Sequence, residues 1–431
     1  MLGAPVFRTA LFGPWSGNAL WTAARAVPSL DLCFADKKDL ICASSSRQLV
    51  TFARASSGTY VDSAGVLQTA ATDVPRFDHN PLTGESLGLL VEEQRTNLLL
   101  QSNAFTTHWS SVANTLTSAS AVSPDGTTNG WRFADTAANN THNIFQTIAW
   151  TAVATTFTVY AKYDTHRWIG ARIGNTGNQF FGSWDLQNGV VGSFTAGATI
   201  GMQAVGNGWY RLTLTATLTS AGSANVLLYL NNADSASAIT YAGTGTGSYI
   251  YGAQLEAGAT ASSYTPTTTA AATRNADVPQ ITGTNFSSWY RQDVGAFYFS
   301  AKRDYPVPSG PIPRIYQVQG AIATDKIEQD FYSGGQVNFV RIPAGIQAEW
   351  YPAYFAQNGV ASSLALATNN IAGSSNGVIT GTDNVATLPT VTQMFIGCEA
   401  AGANVLNGHI RRLTYWPQRL DNATLQAITQ P

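Results

Sequence analysis

The sequence predicts an all-β protein, with an N-terminal arm and hairpin module followed by two antiparallel β-sandwiches. Three observations predict it. Short runs rich in Val, Ile, Thr and aromatic residues recur between Gly, Asn, Ser and Asp turns, the pattern of sandwiches. Only 11% of the 431 residues are Asp, Glu, Lys or Arg, against roughly 25% in an average globular protein. Helical surfaces would carry more Glu and Lys. No heptad or short-period repeat runs through the chain, which argues against a coiled-coil stalk, a β-helix or a propeller.

Residues 1–45 read as an irregular arm punctuated by Pro5, Pro14 and Pro28. A lone arm cannot bury Trp15 and Trp21. These rings are therefore candidates for attachment to another protein, or for packing on the body of the same fold. Residues 46–103 read as small hairpins, with strand-like Val50-Thr51-Phe52 and Thr59-Tyr60-Val61 and a turn at Asp62-Ser63-Ala64-Gly65. Residues 104–267 read as one sandwich, with strands at 157–161, 168–173, 209–217, 226–230 and 249–251. There Tyr210, Leu212 and Leu214 alternate with Arg211, Thr213 and Thr215, as in a half-buried antiparallel strand. Residues 268–278 belong to a Thr/Ala-rich stretch and read as a linker. Residues 279–431 form the second sandwich, with strands at 296–299, 336–342, 393–397 and 407–415. A short helix ends the chain, with Asp421 as N-cap and Leu425 and Ile428 on one face.

Lys and Arg total 23 and Asp and Glu total 25, a net charge of -2. That balance gives no electrostatic footprint for nucleic acid or anionic lipid. No run approaches the roughly 18 apolar residues of a spanning helix, so membrane insertion is not expected. Gly13, Pro14, Ser16 and Gly17 interrupt any apolar core near the N-terminus, so no secretory signal is expected. Cys33, Cys42 and Cys398 are odd in number and lack zinc-ligand spacing. They read as buried free thiols.

Several segments, taken in order, resemble the fibre and head-spike proteins of tailed phages and gene transfer agents. Val50-Thr51-Phe52-Ala53-Arg54-Ala55, Pro75-Arg76-Phe77-Asp78-His79 and Gly88-Leu89-Leu90-Val91-Glu92-Glu93-Gln94-Arg95-Thr96-Asn97 resemble their N-proximal module. Gly206-Asn207-Gly208-Trp209-Tyr210-Arg211-Leu212, Gly252-Ala253-Gln254-Leu255-Glu256 and Ser263-Tyr264-Thr265-Pro266 resemble their carbohydrate-binding-module-like jelly roll. Gly408-His409-Ile410-Arg411-Arg412-Leu413-Thr414-Tyr415-Trp416 resembles the closing strand of a concanavalin A/laminin-G-like sandwich. The resemblance implies a virion surface protein, made in the host cytoplasm without a signal peptide. It implies a homo-oligomer (a trimer, or a pentamer at a five-fold vertex) that contacts other virion proteins and host surface polysaccharide. Head and tail locations both stay open.

Glycan binding needs flat aromatic faces beside amides, carboxylates or guanidinium groups. Tyr163, His166, Arg167 and Trp168 offer that mixture at one turn, and Gln179, Trp184 and Asp185 offer it again. Trp289 with Tyr290, and Trp350 with Tyr351, are the candidates in the second sandwich. Each large ring has a core reading as well. Asp125, Asn129 and Asp135 sit in a turn-rich segment and are the candidates for a structural calcium. Beyond that ion no cofactor is expected.

Enzymatic readings fare poorly. Glu92 and Glu93 are adjacent and would face opposite sides of a strand. Asp325, Glu328 and Asp330 read as a solvated face. The five histidines are scattered, and no Gly-x-Ser-x-Gly elbow occurs. The expectation is a non-enzymatic virion surface component that binds host polysaccharide. The alternatives are a structural connector without sugar binding and a secreted glycan-active enzyme.

Overall fold

The computed structural model of the chain describes residues 18–175, 177–303, 312–332, 335–342, 345–350 and 359–430. Its sheets are antiparallel, and helices are few and short. The order of domains along the chain is where the structure departs from the linear reading.

Among the described residues, one sandwich faces a ten-stranded sheet against a seven-stranded one. The ten-stranded sheet includes Leu30–Leu32, Ser86–Val91, Gly408–Trp416, Val294–Arg303 and Val360–Ala367. Leu30–Leu32 and Ser86–Val91 both pair with Gly408–Trp416. The seven-stranded sheet has Thr51–Ala53 at one edge, beside Val278–Thr282. Residues 30–91 therefore supply strands to the C-terminal sandwich. The reason is burial: Leu30, Leu32 and Val50 share one core with Phe297, Tyr316 and Tyr415. Strands this short have no stability outside a larger sheet. Trp21 is held the same way, its indole N–H donating to Asp31 Oδ2 at 2.8 Å. It is engaged within the fold rather than held out for attachment. Trp15 lies outside the described residues.

The second sandwich stacks two six-stranded sheets around Ile169, Trp184, Leu212, Leu214 and Leu228. It is an insertion into the first. The chain leaves through Arg95–Asn97 and returns through Ala272–Arg274, and these two strands pair with each other. The stretch read as a linker thus contains half of a two-stranded neck.

A buried ionic network closes the neck. Arg54, Arg76 and Arg274 meet Glu92 and Asp277, all nearly inaccessible. Arg76 Nη1 reaches Glu92 Oε2 at 2.7 Å, and Glu92 N donates to Asp277 Oδ2 at 2.8 Å. Ser263 of the inserted sandwich donates to Glu92 through its backbone N–H and its hydroxyl, each at 2.7 Å. Burial alone would raise the Glu92 carboxyl. The positive charges of Arg274 and Arg76 and the Ser263 donors outweigh it and hold the group well below the carboxylate range.

The terminal helix Asn422–Ile428 forms as read, with Asp421 Oδ1 accepting from Thr424 N at 2.7 Å and Leu425 and Ile428 buried. All three cysteines are free and buried. Arg412 and Arg411 take opposite faces of the last strand. Arg412 pairs with Asp31 inside the fold, and Arg411 with Glu85 at its edge.

Candidate functional site

The candidates at 163–168 come together only in part. Register places Trp168 opposite Asp185 at the end of one hairpin, and Arg167 donates twice to Asp185 Oδ2, at 2.9 and 2.6 Å. The same guanidinium lies 5.1 Å over the Trp168 ring, and a Cβ on Gly192 would fall 2.8 Å from that ring. Trp168 is half-buried, its ring lying between Arg167 and Gly192. His166 is buried: its Nε2 donates to the Asn231 carbonyl at 2.9 Å and its Nδ1 accepts from Thr246 Oγ1 at 2.8 Å. Burial lowers its pKa against the pull of Asn231 and Asp135, so the ring is a neutral structural group. Tyr163 packs half-buried against the core.

Other candidate rings face inward. Trp184 is fully buried, its indole N–H donating to the Gly201 carbonyl at 2.9 Å. Trp289 and Tyr290 belong to the core of the larger sandwich, stacked around Phe297 and Tyr415. Trp350 packs half-buried on that core, and Tyr351 lies outside the described residues. Gln179 sits half-buried at the far end of the Trp168 hairpin, opposite Gly174.

The calcium candidates fall into two separate networks. Asp125 accepts from Ser123 Oγ at 2.6 Å, Thr127 N at 3.0 Å and Tyr251 OH at 3.0 Å, with Asn129 Nδ2 at 3.1 Å. Asp135 accepts from Gly245 N at 2.7 Å and Thr244 N at 3.0 Å. Protein donors occupy these oxygens, and among the described residues no three His, Cys, Asp or Glu side chains gather as a metal cage. Glu328 and Asp330, read as solvated, are buried around Arg314. The i, i+2 spacing puts both on one strand face, and a buried arginine draws both inward.

The cavity that joins all parts of the molecule lies elsewhere. It has a volume of about 370 Å³ and three walls. The hairpin of Gly58–Val61 and Leu67–Ala70 makes one wall, with Tyr60 lining it. This hairpin covers a cluster of Tyr160, Trp209, Tyr251 and Tyr264 on the outer face of the inserted sandwich. It is fixed there by Thr59 Oγ1 donating to the Tyr264 carbonyl at 2.6 Å and Leu67 N to Pro124 O at 2.9 Å. The inserted sandwich makes the second wall with Tyr160, Gln203 and Arg211. Arg211 lies 5.7 Å over the Tyr160 ring and donates to the Ser262 carbonyl at 2.6 Å. The larger sandwich makes the third wall with Lys302, Asn407 and His409.

Two consecutive residues, Asp78 and His79, sit where the walls meet. Asp78 Oδ1 accepts from Val61 N at 2.6 Å, and Oδ2 lies 2.9 Å from His409 Nε2. His79 Nδ1 donates to the Val61 carbonyl at 3.0 Å. That bond sets the tautomer, and the buried Nε2 is left as an acceptor without a hydrogen-bond partner. The cleft is thus lined by the half-buried Tyr60 ring, the Arg211 guanidinium and the exposed Gln203 amide, with His79 and Tyr160 buried behind them. Sequence spacing could not find it, because its walls come from segments as far apart as Thr59 and His409.

No protein-family model matches the chain, and no curated protein matches it. Solved structures show distant likenesses. The Ruminococcus gnavus IT-sialidase CBM40 bound to alpha2,3 sialyllactose matches at 13% identity, over 34% of this chain and 88% of that one, with a TM-score of 0.30. The NanB sialidase of Streptococcus pneumoniae matches at 10% identity, over 34% of this chain and 26% of that one, with a TM-score of 0.29. Mouse laminin alpha1 chain domains LG4-5 match at 12% identity, over 65% of this chain and 85% of that one, with a TM-score of 0.23.

Proposed function

We propose that this chain is a virion surface component that binds host envelope polysaccharide without cleaving it, and that the glycan sits in the three-walled cleft. The lining of the cleft carries the glycan reading: the half-buried Tyr60 ring, the exposed Gln203 amide and the Arg211 guanidinium share one cavity. Sugars present apolar C–H faces and hydroxyls that donate and accept, and this lining answers both. Its volume of about 370 Å³ falls within the roughly 300–1,000 Å³ of small-ligand pockets.

Binding fits the carboxylates of the cleft better than cleavage does. Glycoside hydrolysis needs one carboxyl held protonated as a general acid. Glu92 at the cleft floor is held ionised, against the effect of burial, by Arg274, Arg76 and the Ser263 donors. Asp78 is engaged by His409 and Val61. The virion setting rests on the resemblance of the segments around Arg54, Arg76, Glu92 and Trp209. Copies tethered on one particle would turn weak sugar binding into useful avidity.

The test is binding of the full chain to host capsule and lipopolysaccharide, with product analysis. Saturable binding without shortened chains, weakened about tenfold or more in Tyr60→Ala or Gln203→Ala, supports the proposal (tenfold is about 1.4 kcal/mol). No binding by folded protein moves the reading to a structural connector, and shortened chains move it to an enzyme.

A further inference from the structure

A second feature, apart from the cleft and independent of it, lies on the outer face of the inserted sandwich. Strand Trp168–Asn175 sends Ile169, Ala171 and Ile173 into the core. Its alternate residues Trp168, Gly170, Arg172 and Gly174 therefore face outward. Register sets Arg172 between Phe181 and Leu227, and Gly174 between Gln179 and Asn225.

Arg172 is half-buried, and no hydrogen bond or ion pair joins its guanidinium to another described residue. Its neighbours are aromatic: the guanidinium lies 5.9 Å over the Phe181 ring, and Phe181 meets Tyr229 edge-on at 6.3 Å. Burial weakens its hold on the proton, with the Tyr229 phenol pulling the other way. Its buried Nε–H has no acceptor, and an unsatisfied buried donor carries a desolvation cost. Buried Arg54, Arg76, Arg314 and Arg412 meet carboxylates, and buried Arg303 donates to the Leu406 carbonyl.

Polar groups flank it on the same face. Gly174 has φ +130, and a Cβ there would fall 2.1 Å from the Asn178 carbonyl oxygen, so no side chain stands between Gln179 and Asn225. Asn225 Oδ1 accepts from Thr147 Oγ1 at 2.8 Å, which turns its amide N–H groups to other partners. Arg172 and Gly174 are two residues apart, about 7 Å along the strand. That is about the span of one sugar ring.

We propose that this face binds a carboxylate-bearing sugar, with Arg172 anchoring the carboxylate, Phe181 supporting the ring, and Gln179 and Asn225 meeting its hydroxyls. A guanidinium forks onto a carboxylate, and stacking on Phe181 holds it in plane for that purpose.

The test uses the full chain with trigalacturonate, its methyl ester and sialyllactose, followed by titration calorimetry and thermal unfolding. Trigalacturonate or sialyllactose binds saturably. Esterifying the carboxylate of trigalacturonate, or changing Arg172→Met, weakens binding by about tenfold or more, the scale of a lost charge-assisted hydrogen bond. Arg172→Met keeps or raises the melting temperature, because it removes an unpaired cation. A merely structural arginine would lower it. The proposal is overturned if neither acidic probe binds, if the ester of a bound acid binds equally well, or if Arg172→Met melts lower with binding intact. Loss of acid binding in Tyr60→Ala but not in Arg172→Met would place the ligand in the cleft and overturn it as well. The cleft reading is tested on other variants, so the two proposals fail separately.

Discussion

Arg54 and Asp277 stand 223 positions apart in the chain, yet Arg54 Nη1 donates to Asp277 Oδ1 at 3.1 Å with neither side chain exposed. The pair ties the first hairpins to the strand that returns from the inserted sandwich. Asp277 also accepts from Arg76 and from Glu92 N, so one carboxylate holds three segments.

Asp277→Ala leaves two buried guanidinium groups short of a partner. Removing one member of a buried ionic network costs about 3–5 kcal/mol. Denaturant unfolding at neutral pH should show a loss of that order for Asp277→Ala and a smaller one for Asp277→Asn. A loss within experimental error would mean that the network contributes nothing to stability.

Glu92 makes the neck acid-sensitive. Its folded pKa lies below its unfolded value, through Arg274, Arg76 and the Ser263 donors acting against burial. Its contribution is therefore complete above the unfolded carboxylate range and is lost as pH falls toward the folded value. Wild-type stability relative to Glu92→Gln should shrink as pH drops from about 6 to about 3. A difference constant over that window contradicts the assignment.

Trp184→Ala acts on folding. The fully buried ring and its bond to Gly201 predict a loss of about 3–5 kcal/mol. Trp168→Ala, at the hairpin end, should cost less. Calorimetric melting of the two variants checks the order, and equal losses would contradict the burial difference.

The fold class was legible because alternation survives folding. The strand at 209–217 buries Leu212 and Leu214 and leaves Thr213 and Thr215 partly exposed, as its pattern says. Domain order was not legible. Leu30–Leu32 pairs with Leu413–Tyr415 across nearly the whole chain, and no local pattern encodes that partner. The aromatic candidates misled for a related reason: composition marks a ring but not its side of the sheet. Trp184 illustrates it, a candidate ring that lies fully buried in the core of the inserted sandwich. Arg172 escaped notice because an arginine inside an apolar alternation reads as an ordinary solvent-facing residue.

The central claim is that glycan enters the three-walled cleft. Hydrogen exchange of the full chain, with and without oligosaccharide from host lipopolysaccharide, tests it most directly. The account predicts slowed exchange in Gly58–Val61, in Phe77–His79 and around Gln203 when sugar is present. Saturable binding that leaves those segments unchanged and protects another surface would contradict it.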